Sequence, residues 1–373
     1  MYTTKIATMR TDRLAAFDAL RFCMIVCVVM LHAAMTYMEY MPAWWYVQDA
    51  SRSLGFTVLV VLLDAFPMTT LFLLAGYFAP PSLARRGKRA FLRGKYRHVG
   101  VPWLLGVLLV APLFAFASYR VLGFAGPFGA FLREGFFGPF YQQGHYWFLG
   151  VLVFFSTVYA LFSDAFSSRR DCPPPVLLSA VWLLSTLAYY VSTKYLMPAD
   201  LWQNVGYVFY FQPARIVGYA CAFLFGVRAW NGGWLREGGW MPPLCPSAVI
   251  AFAAALALSA WKFLLAVRLP AGGNLILDAL LYNTTSLSVT LFLVALFQRY
   301  QMRLERLARF WGPHAYAVYW QHQLILMPTQ YLLLFVTVGI FWKWTFSVIL
   351  TFFFGWIGST FLLKRIPFLR EIF

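Results

Sequence analysis

The chain has 373 residues, of which 61% are hydrophobic and only 12% charged, with a mean hydropathy of +0.68. A soluble domain sits at about 45–50% apolar and about 25% charged, so composition alone excludes one. The formal net charge is +17. With no soluble fold to carry a basic face, that charge points to membrane topology and anionic lipid headgroups, and away from nucleic acid.

Ten segments approach the ~20 apolar residues that cross a bilayer. They run 17–38, 53–79, 99–119, 145–163, 176–196, 207–229, 247–267, 275–297, 312–336 and 341–363. The expected fold is therefore all-α, a polytopic helical membrane bundle formed by one domain, 1–373, with no separate soluble domain. The second segment is overlong and contains Pro67, which predicts a kink or tilt. Leu269-Pro270-Ala271-Gly272-Gly273 reads as a tight hairpin between segments seven and eight. The first segment lacks a small-residue cleavage site and is too long for a signal-peptide core, so it is expected to stay as a helix.

With the N-terminus inside, 21 of the 30 Lys and Arg residues fall on inner tails and loops. Arg52, Arg120, Arg133, Lys194, Arg268 and Lys343 fall outside, and Arg21, Arg215 and Lys262 lie within helices. This excess is a positive-inside signal, and ten spans then place both termini in the cytosol. Among five cysteines there is no C-x-x-C pair, so neither a zinc site nor a disulfide is expected. No internal repeat is evident, which weakens a transporter reading built on repeated halves.

The ionisable residues inside these spans carry the functional signal, because each is costly in hydrocarbon unless it has a task or a partner. Arg21 and His32 are eleven residues apart on the first span, which puts them on one helix face about 16 Å apart along the axis. Asp18 lies near the same stripe. A structural reading pairs Asp18 with Arg21 and lets His32 satisfy a neighbouring helix. Counting residues inward at about 1.5 Å each puts His32 roughly 9 Å and Arg215 roughly 12 Å below the outer surface. Asp64 lies halfway down helix two, and His322 lies near the midplane. Together the four could line one hydrated cavity. Asp64 either orients an imidazole or ties to Arg215. Lys262 and Asp278 are close enough to the outer edge to snorkel or to pair. Tyr316, Tyr319 and His322 recur every third residue, flanked by Gln321 and Gln323, so helix nine should face a polar interior.

From Pro80 to His98 the chain crowds Arg85, Arg86, Lys88, Arg89, Arg93, Lys95 and Arg97 into an expected inner loop. It serves as a topology anchor, as a phosphate site, or as both. There is no G-x-x-x-x-G-K-[ST] loop, no H-E-x-x-H motif and no G-x-S-x-G elbow.

At this point the chain resembles the type-3 integral membrane acyltransferases over nearly its whole length. The resemblance rests on Asp18-x-x-Arg21 followed by ten residues and His32. Phe72-Leu73-Leu74-Ala75-Gly76-Tyr77-Phe78, His145-Tyr146-Trp147-Phe148-Leu149 and Tyr316-x-x-Tyr319-x-x-His322 add to it in order. Gln212-Pro213-x-Arg215 and Arg365-Ile366-Pro367-Phe368-Leu369-Arg370 look most like the glucan biosynthesis protein C group, associated with succinylation of periplasmic glucans. One departure stands out. The family often shows Arg-x-x-Arg just before helix three. Here Arg86-x-x-Arg89 lies upstream, while Arg93 and Arg97 are one residue too far apart.

The resemblance implies O-acyl transfer, acetyl or succinyl, from cytosolic acyl-CoA to a hydroxyl of a periplasmic or cell-surface glycan at the inner membrane. Acyl-CoA enters as a co-substrate, with no permanently bound cofactor and no metal. His32 would be the general base, with His322 as a second acid–base group and Asp64 as the third catalytic residue. Asp18, Arg21, Arg93 and Arg97 would hold the donor, and His145, Trp147, Arg215 and Tyr319 the acceptor. Oligomeric state, a homodimer included, stays open. A non-enzymatic transporter or flippase for a glycan or anionic solute would account for the same polar interior. A membrane scaffold would not need the deep histidines.

Overall fold

The structure, a computed structural model, describes residues 2–167, 173–236, 238–265 and 274–372. The expected hairpin at 269–273 and Cys172 lie outside the described residues. Helix α1 spans Tyr2–Met35. The second predicted span is two helices, α2 (Leu54–Ala65) and α3 (Pro67–Arg86), broken at Phe66 where Pro67 cannot continue the hydrogen-bond ladder. The helical run Lys88–Val121 is α4, Gly144–Phe166 is α5 and Pro174–Tyr195 is α6. A small antiparallel hairpin, β1 (Gln203–Val205) and β2 (Phe209–Phe211), precedes α7 (Pro213–Asn231). The rest comprises α8 (Leu244–Phe263), α9 (Leu275–Arg299), α10 (Gln301–Leu333), α11 (Ile340–Leu363) and a short α12 (Pro367–Arg370).

Among the described residues, eight helical segments are long and apolar enough to cross a membrane. The other two long helices, α7 and α10, carry Arg215 and the Tyr–His–Gln stripe. Their apolar content is lower because they pack inside the bundle, α7 against α3 and α6 and α10 against α1 and α11. The peripheral α6 and α8 instead turn Leu183, Leu184, Leu187, Val249, Ile250 and Phe252 outward, as lipid-facing surfaces do.

Three expectations about elements are corrected. The basic stretch is helical, not a loop. α3 runs on through Pro80 and Pro81 to Arg86, Gly87 turns at φ 75°, and α4 resumes at Lys88. Residues 207–211 form the hairpin turn and β2, not the start of a span. Gly206 and Tyr207 both have positive φ (62° and 59°). The strained Tyr207 is held by its hydroxyl, 2.6 Å from the Phe137 carbonyl, and by its own carbonyl, which accepts from Tyr141 at 2.6 Å. The ninth predicted span, 312–336, belongs to α10, which begins at Gln301 rather than 312.

Helix contacts follow small-residue and hydroxyl pairing, the means available where lipid supplies no hydrophobic drive. Thr69 meets Ser286 at 2.7 Å and Thr70 meets Thr290 at 2.9 Å, joining α3 to α9. Gly76 and Gly226 let α3 and α7 cross backbone to backbone, since a Cβ on Gly76 would run into the Phe223 backbone and one on Gly226 into the Leu73 carbonyl. Gly226→Ala should therefore destabilise the folded protein by about 1–3 kcal/mol, the cost of overpacking a tight core. A thermal-denaturation series in detergent checks this, and an unchanged melting temperature would contradict the crossing.

Candidate functional site: a three-histidine cluster above a basic end

The last turns of α1, the start of α5 and the middle of α10 bring His32, His145 and His322 together. His322 Nε2 lies 3.1 Å from His32 Nδ1, and the His145 and His322 ring centroids are 4.3 Å apart. His322 and His145 are buried, while His32 is partly exposed.

Backbone carbonyls fix the neutral tautomers, because a carbonyl only accepts. His322 Nδ1 is 2.6 Å from the Tyr319 carbonyl, so the proton sits on Nδ1 and Nε2 is bare. His32 Nδ1 must then donate to His322, which leaves His32 Nε2 with its lone pair free. His145 donates from Nε2 to the Trp320 carbonyl at 3.1 Å, and its buried Nδ1 has no partner. Two nitrogens, His32 Nε2 and His145 Nδ1, are thereby left with free lone pairs, on the two imidazoles that each neighbour His322.

Tyrosines on α10 and α5 stitch this region. Tyr319 donates to the His145 carbonyl at 2.5 Å, and Tyr146 donates to the Trp320 carbonyl at 2.8 Å. Tyr316 donates to the His98 carbonyl at 2.8 Å. That carbonyl is available because Pro102, four residues on, has no N–H to offer it. The Pro102 carbonyl in turn accepts from Trp320 Nε1 at 2.9 Å.

Toward the other end of α1, Arg21 pairs with Asp18 at 2.7 Å and lies over the Phe78 ring. Lys95 stands within range of the charges of Arg21 and Arg86, and the Arg86 guanidinium packs over Gly94. Arg93 is exposed, and Arg97 is ion-paired with Glu371. Arg97 lies within a π turn, Tyr96–Gly100, the kind of turn that absorbs one extra residue into a helix.

A family profile described as an acyltransferase domain matches residues 14–360. The chain belongs to this acyltransferase family. Comparison with curated proteins and with solved structures finds no match. The family match covers the domain as a whole and does not single out the glucan biosynthesis protein C group.

The acyltransferase does not gather all its deep ionisable groups into one cavity, and this corrects the reading from depth alone. Asp64 pairs with Arg215 at 2.6 Å, and Asp200 approaches the same guanidinium at 3.3 Å. Arg215 also lies 4.9 Å from the Tyr282 ring centre. Of the two roles open to Asp64, the structure has the tie to Arg215. No carboxylate among the described residues hydrogen-bonds any of the three imidazoles. Trp147 faces this second cluster, packing on Trp202 and Tyr219. Tyr219 and Arg215 line a separate cavity with Trp182, Tyr282, Asn283 and Ser286. Of the expected acceptor residues, His145 and Tyr319 therefore stand at the histidine cluster, both against His322. The Lys262–Asp278 pair forms at 2.8 Å, and Tyr189 donates to the same carboxylate at 3.0 Å.

Sequence reasoning missed the cover of the site. Trp45 stacks on His32 with ring centres 6.1 Å apart and planes 6° apart. Tyr46 hydrogen-bonds Gln323. A double tryptophan in a loop, Trp44-Trp45, was the available signal. Arg86 and Lys95, which share the Arg21 end, were indistinct within the crowd of seven cations.

Proposed function

We propose that this acyltransferase moves an acetyl or succinyl group from cytosolic acyl-CoA to a hydroxyl of a periplasmic or cell-surface glycan, in the inner membrane. The chain then crosses ten times with both termini in the cytosol, so that the Arg21 end faces the cytosol and His32 the outer side. The observation that carries this reading is the His32–His322 pair. It leaves one basic nitrogen open at the end of a helix whose Arg21 lies about 16 Å away.

Arg21, with Arg86 and Lys95, holds the phosphates of the donor, and the flexible arm of the donor spans the distance to His32. His32 Nε2 takes the proton of the acceptor hydroxyl as its oxygen attacks the thioester carbonyl. The tetrahedral intermediate collapses, the C–S bond breaks, and the departing thiolate takes the proton back from His32. His322, fixed by the Tyr319 carbonyl, holds His32 in the tautomer that makes Nε2 the base. His145 and Tyr319 border the acceptor.

Titration of the purified protein with acetyl-CoA and succinyl-CoA, read as a thermal shift, tests the donor half. Ligand that binds only the native state stabilises it by about 2.7 kcal/mol at a hundredfold excess over Kd. The shift should appear with wild type and shrink strongly in Arg21→Ala. No shift in wild type, or an equal one in Arg21→Ala, contradicts the donor assignment and brings a transporter forward.

A further inference from the structure

The histidine cluster lacks the carboxylate that commonly orients a catalytic imidazole. His32 instead has two ring neighbours, His322, which it meets through the Nδ1–Nε2 hydrogen bond, and Trp45, with centroids at 5.1 Å and 6.1 Å. Trp45 is 3% exposed. Its own orientation is fixed, because the indole Nε1 donates to Thr36 Oγ1 at 3.1 Å and the ring stacks on Tyr46 at 4.2 Å. The segment that carries it is fastened at Asp49. That carboxylate accepts from Lys343 Nζ at 2.8 Å and from the Ser51 amide at 2.8 Å, and the Asp49 amide donates to the Thr36 carbonyl at 3.3 Å. The Lys343–Asp49 pair is nearly fully buried, with side chains 8% and 6% exposed. A buried ion pair anchoring a loop in a membrane protein is costly to build, and what this one anchors is the tryptophan on His32.

We propose that Trp45 is a positioning residue for acyl transfer. Its indole holds the His32 ring in the plane that keeps Nε2 open to the acceptor hydroxyl. The same aromatic face lies over the ring while it carries the transferred proton, where a π face favours a cation. This rests on the reading of His32 as the base.

The test compares Trp45→Leu, Trp45→Phe and Thr36→Val with wild type, using CoA release from succinyl-CoA or acetyl-CoA in the presence of isolated envelope glycan. His32→Ala runs in parallel, and size-exclusion profile and melting temperature report folding. Loss of ring alignment should lower kcat about 10- to 100-fold in Trp45→Leu, with KM for the acyl-CoA nearly unchanged. Trp45→Phe keeps a ring and should recover most of the rate. Thr36→Val keeps its shape but releases the indole N–H, so it should fall between them. A wild-type kcat in Trp45→Leu, or a defect confined to KM for the glycan, overturns the positioning role while an inactive His32→Ala upholds the base. Should Trp45→Leu not fold, full kcat in Thr36→Val overturns the proposal instead. Normal activity in His32→Ala removes the base and this proposal together.

Discussion

Replacing His32 with Ala is expected to lower turnover about 10²- to 10⁴-fold, the usual contribution of a positioned general base, with KM for acyl-CoA little changed. The reason is geometric. With His322 Nδ1 committed to the Tyr319 carbonyl and His322 Nε2 facing His32, His32 Nε2 is the basic nitrogen of that pair left free to take a proton. His322→Ala should cost less, because it removes an orienting partner and not the base. The double variant should be no slower than His32→Ala alone, since groups acting as one unit are strongly non-additive. Steady-state rates for the four proteins check this. A double variant that loses the product of the two single effects would mean that each histidine acts independently.

The second large effect is on stability. Lys343→Met leaves Asp49 buried without its counter-charge, a loss of about 3–5 kcal/mol when one partner of a buried pair is removed. The double change Lys343→Met with Asp49→Leu should recover much of that, because two apolar side chains need no charge compensation. Chemical or thermal unfolding in detergent reads both. If Lys343→Met melts within a degree or two of wild type, the pair does not anchor the segment that carries Trp45, and the hold on Trp45 must come from Thr36 and Tyr46 alone.

How much of this was legible in the sequence depends on the range of the interaction. Helix periodicity is local, so the Arg21–His32 face and the Pro67 break could be read from spacing. The Lys262–Asp278 pair was one of two outcomes that depth allowed. Depth along a helix says nothing about which helices adjoin, so Asp64 could be placed at a level and still have both an imidazole and Arg215 open to it as partners. The aromatic run Tyr207–Phe211 is as apolar as a helix start. Only the turn at Gly206 and the β-preference of Val208, Phe209 and Tyr210 distinguish it. The basic stretch looked like a loop because of its charge. Lys, Arg, Ala and Leu are nevertheless good helix formers, and Gly87 alone breaks the run. Trp45 could not have been placed, because it sits outside any periodic element and its partner is nine residues away through Thr36 and thirteen through His32.

The most direct test of the account is mass spectrometry of envelope glycans from cells expressing wild type or His32→Ala at equal membrane abundance. An ester mass increment with wild type that is absent with His32→Ala is the expected result, and its size names the acyl group. The same increment in both would remove His32 from the chemistry. No increment in either, with donor and glycan present, would contradict acyl transfer to the glycan itself.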